Sequence, residues 1–217
     1  MSCECEVEVR NAEQAKVLKV LLAINAAMFF VESITGFIAQ STGLIADSLD
    51  MFADAAVYGI GLYAVGRSLA SKAKAAYGSG IFQCILGATV VVEVIRRFVV
   101  GSEPVSLLML SIGALALVAN LTCLALLSKH REGEVHMRAS WIFSTNDVLA
   151  NIGVIVAGVL VSYIGSPLPD LIIGAIISAV VIRGGVRIII DARHESAKDA
   201  QQVVPADGPR AARSARR

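Results

Sequence analysis

The stretch Ala46-Asp47-Ser48-Leu49-Asp50-Met51-Phe52-Ala53-Asp54 places three acidic side chains inside an apolar run of membrane-spanning length. A second stretch of this kind, Ser144-Thr145-Asn146-Asp147-Val148-Leu149-Ala150-Asn151, follows further along the chain. A carboxylate in hydrocarbon costs about 2.5–3.5 kcal/mol even on lenient insertion scales, so it needs a compensating partner. For several carboxylates together the simplest partner is a cation.

The composition is that of an integral membrane protein. Of the 217 residues, 56% are hydrophobic and 17% are charged, and the mean hydropathy is +0.70. About 20 apolar residues in a helix cross a bilayer core. The chain contains six such runs: residues 17–40, 43–65, 77–100, 105–127, 139–164 and 168–190. We therefore predict an all-α integral membrane fold with six transmembrane helices.

Lysine and arginine cluster on alternate connections, which indicates orientation through the positive-inside rule. The connections near residues 41–42 and 165–169 carry no basic residue. Basic residues occur instead in the N-terminal arm, the second and fourth connections and the tail: Arg10, Lys16, Lys19, Arg67, Lys72, Lys74, Lys129, Arg131, Arg138, Arg193 and Lys198. Both termini are therefore predicted to be cytoplasmic, in a plasma membrane such as the bacterial inner membrane.

The chain divides into three parts. Residues 1–16 form a cytoplasmic arm and residues 17–190 the membrane domain. Residues 191–217 form a polar tail rich in alanine and arginine, which is too short for a core of its own and is predicted to be disordered. The net charge of +1 indicates no nucleic-acid partner.

Asp47, Asp50 and Asp54 fall on one stripe of the second predicted helix, because spacings of three and four residues match the helical repeat. The second predicted helix enters the bilayer from the outside and the fifth from the inside. Counting residues from those boundaries at about 1.5 Å each places Asp54 and Asp147 near one level of the bilayer. Asp50 lies about one turn further out. We predict that these three carboxylates meet near mid-membrane.

An amide oxygen or a water molecule would complete the shell around a bound ion. Asn151 shares a helix face with Asp147, and Asn146 flanks it. Asp47 lies nearer the outer mouth of the site. Two roles stay open for it: it binds the ion, or it orients a neighbouring residue. The predicted metal-binding residues are Asp47, Asp50, Asp54, Asp147, Asn146 and Asn151. Further polar residues of the helices are expected to form interhelical hydrogen bonds: Asn25, Glu32 and Asn120.

Oxygen donors at this density suit a divalent metal ion, Zn²⁺ among them. A site inside the membrane that fills from one side and empties to the other serves transport. Crowded carboxylates in a medium of low dielectric also bind protons, so metal and protons are predicted to exchange. The sequence has no nucleophile motif and no phosphate-binding glycine loop, so we expect neither an enzyme nor an organic cofactor.

Asp50-Met51-Phe52-Ala53-Asp54 resembles the metal-binding pair in the second helix of the cation diffusion facilitators. Gly43-Leu44-Ile45-Ala46-Asp47-Ser48 resembles the lead-in to that pair. Asp147, followed by Ile152-Gly153-Val154-Ile155-Val156-Ala157-Gly158, resembles the counterpart in the fifth helix. The similarity also covers residues 25–36 and 93–97. It implies a homodimeric metal/proton antiporter that exports Zn²⁺, with Cd²⁺ as a further substrate.

Two departures from this family pattern matter. At Phe143 the family usually has histidine or aspartate, so Asn146, Asn151, Ser144 or water must replace that ligand. The family also commonly ends in a soluble metal-sensing domain, for which residues 191–217 are too short. We therefore expect dimerisation through the membrane helices.

Three alternatives stay open. Oxygen donors favour harder ions, so a transporter of Mn²⁺, Fe²⁺ or Co²⁺ is the alternative to a Zn²⁺ transporter. A non-transporting membrane subunit or regulator with a degenerate metal site is the alternative to any transporter. In the cytoplasmic parts, Cys3 with Cys5 and His130 with His136 either capture metal or are simply solvated.

Overall fold

The computed structural model describes residues 2–64, 69–128 and 135–202, with side chains for residues 15–60, 62–63, 73–128, 147–194 and 196. Within these ranges the regular structure is helical. The helices are α1 (Ser2–Ile38), α2 (Thr42–Ala64), α3 (Leu69–Val100), α4 (Ser106–Ser128), α5 (Val135–Ile164) and α6 (Leu168–Gln202). The predicted all-α class is confirmed.

In the described residues, every helix except α2 contains a stretch long and apolar enough to cross a membrane. α2 is as long as α4, but every 18-residue stretch of it includes Asp47, Asp50 and Asp54. Large apolar side chains such as Phe37 and Phe98 are exposed on the outside of the bundle, as contact with lipid requires. The chain is a multi-pass membrane protein, and a sixth span through α2 stays a prediction.

Both terminal helices continue beyond the predicted spans. α1 begins at Ser2, within the expected arm, and α6 continues to Gln202, within the tail that was expected to be disordered. Tertiary contact explains the extension of α6: Ala192 is buried, and Arg193 donates a hydrogen bond of 3.2 Å to the Tyr77 hydroxyl and stacks on its ring. Residues 203–217 lie outside the described part of the chain.

α3 and α6 pack against each other over most of their lengths, and facing glycines allow their backbones to approach closely. A Cβ atom at Gly80 would lie 2.8 Å from the carbonyl oxygen of Gly185, and one at Gly185 would lie 2.9 Å from that of Gly80. At Gly87 the clash would be with Ile182. This pair forms one wall of the molecule, and α2 and α5 join it to the other helices.

Three short connections, at residues 39–41, 101–105 and 165–167, lie together at one end of the bundle, the connection end. α3 and α5 stop there at Gly101 and Gly165, whose φ angles of 92° and 68° suit a residue without a side chain. The Val105 amide donates to the Ala39 carbonyl at 2.9 Å and ties two of the connections together. The described chain ends at residues 2 and 202 therefore lie at the opposite, terminal end.

A buried carboxylate at Asp170 fastens α6 to the start of α2. Its oxygens accept hydrogen bonds from the Ser41 hydroxyl (2.6 Å), from the Thr42 amide and hydroxyl (2.7 and 2.8 Å) and from the Gly43 amide (3.0 Å). The Leu44 amide donates to the Ser41 hydroxyl, so the first turn of α2 is capped by the residue that precedes it and by Asp170 of α6. Sequence analysis missed Asp170; its one signal was an acid in the first turn of the sixth predicted helix, directly after a connection without basic residues. This cluster closes the bundle at the connection end.

Replacing Asp170 by alanine leaves the first amides of α2 without acceptors. Because these groups are buried, we expect a loss of about 2–4 kcal/mol in stability. Thermal unfolding of the detergent-solubilised protein measures this as a lower midpoint. Glu103→Ala, an exposed acid in the α3–α4 connection, is the matched control and should leave the midpoint unchanged. Equal midpoints for the two variants would contradict the role of Asp170.

Candidate metal centre

The interior between α1, α2, α4 and α5 is polar although the helices that surround it are apolar. α2 supplies a stripe along one face, because residues three and four apart in a helix point the same way. That stripe consists of Asp47, Asp50, Asp54 and Tyr58. Asp47 and Tyr58 are buried, whereas Asp50 and Asp54 are partly exposed to an internal cavity.

Asp147 of α5 lies beside the α2 carboxyl groups with which it was predicted to form the metal centre. The residue is 6% exposed, and its carboxyl group lies within hydrogen-bonding reach of the carboxyl groups of both Asp50 and Asp54. A hydrogen bond between two carboxyl groups needs a proton on one of them. The meeting of these three residues across α2 and α5 therefore creates a place for positive charge, whether protons or a metal ion.

Asn151 lies one turn from Asp147 and is held by hydrogen bonds at both ends of its amide. It donates to Asp47 at 2.6 Å and accepts from Asn120 of α4 at 3.0 Å. All three side chains are almost completely buried. Asn151 thus contacts Asp47 rather than the group around Asp147, and its role as a metal ligand stays a prediction. The interhelical role expected of Asn120 matches this geometry.

Two further side chains border the centre at Asp54. Tyr58 donates a hydrogen bond of 3.1 Å to the Asp54 carboxylate from one turn away on α2. Cys123 of α4 lies in the apolar cluster around Tyr58. The Asn25 amide approaches its sulfur at 3.7 Å, which links α1 to α4. The i, i+4 spacing of Asp54 and Tyr58 was a readable signal for this contact.

A cavity of about 510 Å³ reaches the centre from one side. Asp50, Asp54 and Asp147 line it together with Gln83 of α3. Along α6 the lining runs from Ile173 near the connection end to Ile188, and it includes further apolar residues and two exposed arginines: Ile176, Ile177, Val180, Arg183 and Arg187. The carboxyl groups are therefore accessible from a space between α2, α3, α5 and α6.

The contacts between carboxyl groups are pairwise. Among the described residues, no three histidine, cysteine, aspartate or glutamate side chains are grouped so as to hold a metal ion as they stand. Several predicted donors lie outside the described side chains, so their contribution stays a prediction: Ser144, Asn146, Cys3, Cys5, His130 and His136. Phe143, which stands where the family usually has a ligand, lies outside them too.

Comparison with known proteins identifies the class. A family model described as the cation efflux transmembrane domain matches residues 18–195. The chain belongs to this family, whose members are transporters rather than enzymes. The matched range takes in Asp50, Asp54 and Asp147, and it agrees with the resemblance stated from the sequence.

Two curated relatives are similar over a shorter region. Both are described as zinc transporter ZitB, one from Yersinia pseudotuberculosis serotype I (strain IP32953) and one from Yersinia pestis. Each is 27% identical over 116 residues, which is 53% of this chain and 37% of the relative. The matched region thus spans little more than a third of each relative's length.

The bridging position of Asn151 predicts an order of stability. Asn151→Leu removes both hydrogen bonds and leaves Asp47 and Asn120 unpaired, whereas Asn120→Leu removes one. We expect losses of about 2 kcal/mol and about 1 kcal/mol respectively, because both groups are buried. Thermal unfolding in detergent compares the two variants with the parent chain. A smaller loss for Asn151→Leu than for Asn120→Leu would contradict the bridge.

Proposed function

We propose that this protein exports a divalent metal ion from the cytoplasm in exchange for protons, with Zn²⁺ as its principal substrate and Cd²⁺ as a second. Asp50, Asp54 and Asp147 bind the ion near the middle of the membrane. The observation that carries the proposal is that these three carboxyl groups, from α2 and α5, line one cavity, where Asp147 pairs with Asp50 and with Asp54. Family membership supports a cation as the transported species.

The shape of the bundle supports a site that loads from the terminal end. The cavity beside the carboxyl groups extends along α6 as far as Ile188, whereas the connection end is closed by Asp170 and its partners on α2. The distribution of basic residues predicts that the terminal end faces the cytoplasm. In that orientation the centre receives ions from the cytoplasm, and release requires the Asp170 cluster to open.

Exchange follows from the charge of the centre. Neighbouring carboxylates without a cation repel one another in a medium of low dielectric, so protons replace the metal when it leaves. Tyr58 and Asn151 donate single hydrogen bonds to the acids around them, which does not neutralise a charge. A metal ion that enters the centre therefore displaces protons, so the centre holds either the metal ion or protons in turn.

The printed description of the two relatives supports zinc, although the described oxygen ligands also suit Mn²⁺, Fe²⁺ or Co²⁺. The bacterial inner membrane is the proposed location. Association of two copies through the membrane helices stays a prediction.

Neutralising the centre should abolish transport without unfolding the protein. In liposomes loaded with a metal-sensitive dye, the parent chain is expected to carry Zn²⁺, and Asp54→Asn and Asp147→Asn should fall to the rate of protein-free vesicles. The reason is that each substitution removes a charged ligand and keeps the side-chain volume. Glu103→Gln, the same chemical change at an exposed position, is the control.

The same vesicles distinguish the alternatives. Faster flux of Mn²⁺ than of Zn²⁺ would show that Mn²⁺, not Zn²⁺, is the principal substrate. No flux of Zn²⁺, Cd²⁺ or Mn²⁺ by a correctly inserted parent chain would contradict the transporter and favour the non-transporting subunit.

Proton exchange predicts the direction in which a pH gradient acts. Zn²⁺ uptake should be faster into vesicles with an acidic lumen than into vesicles at equal pH, because protons leaving down their gradient exchange for entering metal. Dissipating the gradient with nigericin should return the rate to that of equal pH. Without nigericin, a pH-sensitive dye in the lumen should record acid loss in step with Zn²⁺ uptake. A rate that does not depend on the gradient would contradict antiport.

A further inference from the structure

Glu32 of α1 is a buried acid that the centre described above does not use. It is 0% exposed, and within the described part of the chain neither of its carboxyl oxygens accepts a hydrogen bond. Asp47 lies on α2, which packs against α1 at this level: Ser33, next to Glu32, donates a hydrogen bond of 3.0 Å to Ser48, next to Asp47. Asp47 is 1% exposed, with one oxygen hydrogen-bonded and the other without a partner. Glu32 interacts electrostatically with both Asp47 and Asp50. Three buried acceptor oxygens therefore lie at the α1–α2 contact without a donor.

A structural acid in this fold has a different environment. Asp170 is equally buried, but its carboxylate accepts hydrogen bonds from Ser41, Thr42 and Gly43. A buried acid that only held helices together would need such hydrogen-bond donors, because an unpaired buried carboxylate is costly. The free oxygens of Glu32 and Asp47 thus point to a ligand that arrives with positive charge.

We propose that Glu32 and Asp47 form a second binding station for the transported divalent cation, one helical turn from the centre toward the connection end. This inference rests on the proposed function and extends it. Carboxylate oxygens from two helices are suitable ligands for such an ion. The bond from Asn151 fixes one oxygen of the Asp47 carboxylate and leaves the other oxygen without a partner.

Asp50 connects the two stations. It lies one turn from both Asp47 and Asp54 on the α2 stripe, contacts Asp147, and interacts with Glu32. An ion that moves about 4.5 Å along the helix axis can therefore exchange Asp54 and Asp147 for Asp47 and Glu32 while it keeps Asp50 as a ligand. A shared ligand avoids a step in which the ion is bare in a medium of low dielectric. Beyond the second station lies the Asp170 cluster that closes the connection end.

Equilibrium dialysis of the purified full chain against Zn²⁺, with the bound metal counted by mass spectrometry, tests the second station. The parent chain is expected to bind an ion at low Zn²⁺ and a further ion at higher Zn²⁺. Glu32→Gln should lose the further ion and keep the first, and Glu32→Asp should retain both because it keeps the carboxylate. Asp54→Asn should lose the first ion. Glu103→Gln is the control for the loss of an acid at an exposed position.

Transport supplies the second readout. Glu32→Gln should slow Zn²⁺ flux, while the half-saturating Zn²⁺ concentration for the first ion stays unchanged. Binding of the same number of ions by Glu32→Gln and the parent chain would overturn the second station, as would loss of the first ion in Glu32→Gln. Failure of the proposed function is a different result: either the parent chain binds no Zn²⁺, or all of its ions survive Asp54→Asn.

Discussion

Carboxyl groups inside a membrane bundle are the constraint on which the rest of this structure depends. Glu32, Asp47, Asp50, Asp54 and Asp147 all face the interior, yet the described hydrogen-bond donors to them are Asn151 and Tyr58. Oxygens of Glu32, Asp47 and Asp147 are left without partners. An interior with more acceptors than donors is stable only when it holds protons or cations. Because those protons and cations can exchange with one another, the same interior that the helices enclose is suited to transport.

The surrounding helices enclose this interior, and in the described part of the chain a cavity reaches it from one side. α3 and α6 approach closely at Gly80 and Gly185, and they leave a cavity between themselves and α2 and α5. At the connection end, Asp170 satisfies the first amides of α2 and fastens it to α6. The same helix, α2, carries both this capped end and the acidic stripe. Movement of α2 against α6 would therefore change access to the metal ligands.

Sequence reasoning predicted the helices from the lengths of the apolar runs, because run length is a local property. It placed Asp147 near Asp50 and Asp54 by matching their depths in the bilayer, and their joint binding of a metal ion stays a prediction. The C-terminal end of α6 was less predictable, since the helix continues past residue 190 to Gln202 and contacts α3 there, as Arg193 does on Tyr77. The partners of Asn151 depend on how α4 and α5 are rotated about their axes, which spacing within one helix does not give. Asp170 and Ser41 are distant in the chain, and no local pattern joins them.

The central claim is that Asp50, Asp54 and Asp147 bind the transported metal inside the membrane. Anomalous diffraction at the zinc absorption edge, from crystals of the full chain grown with Zn²⁺, tests it most directly. The account predicts an anomalous peak bounded by these three carboxylates, between α2 and α5. Zinc peaks only outside the bundle, for example at Cys3, Cys5, His130 or His136, with none between α2 and α5 at saturating Zn²⁺, would contradict it.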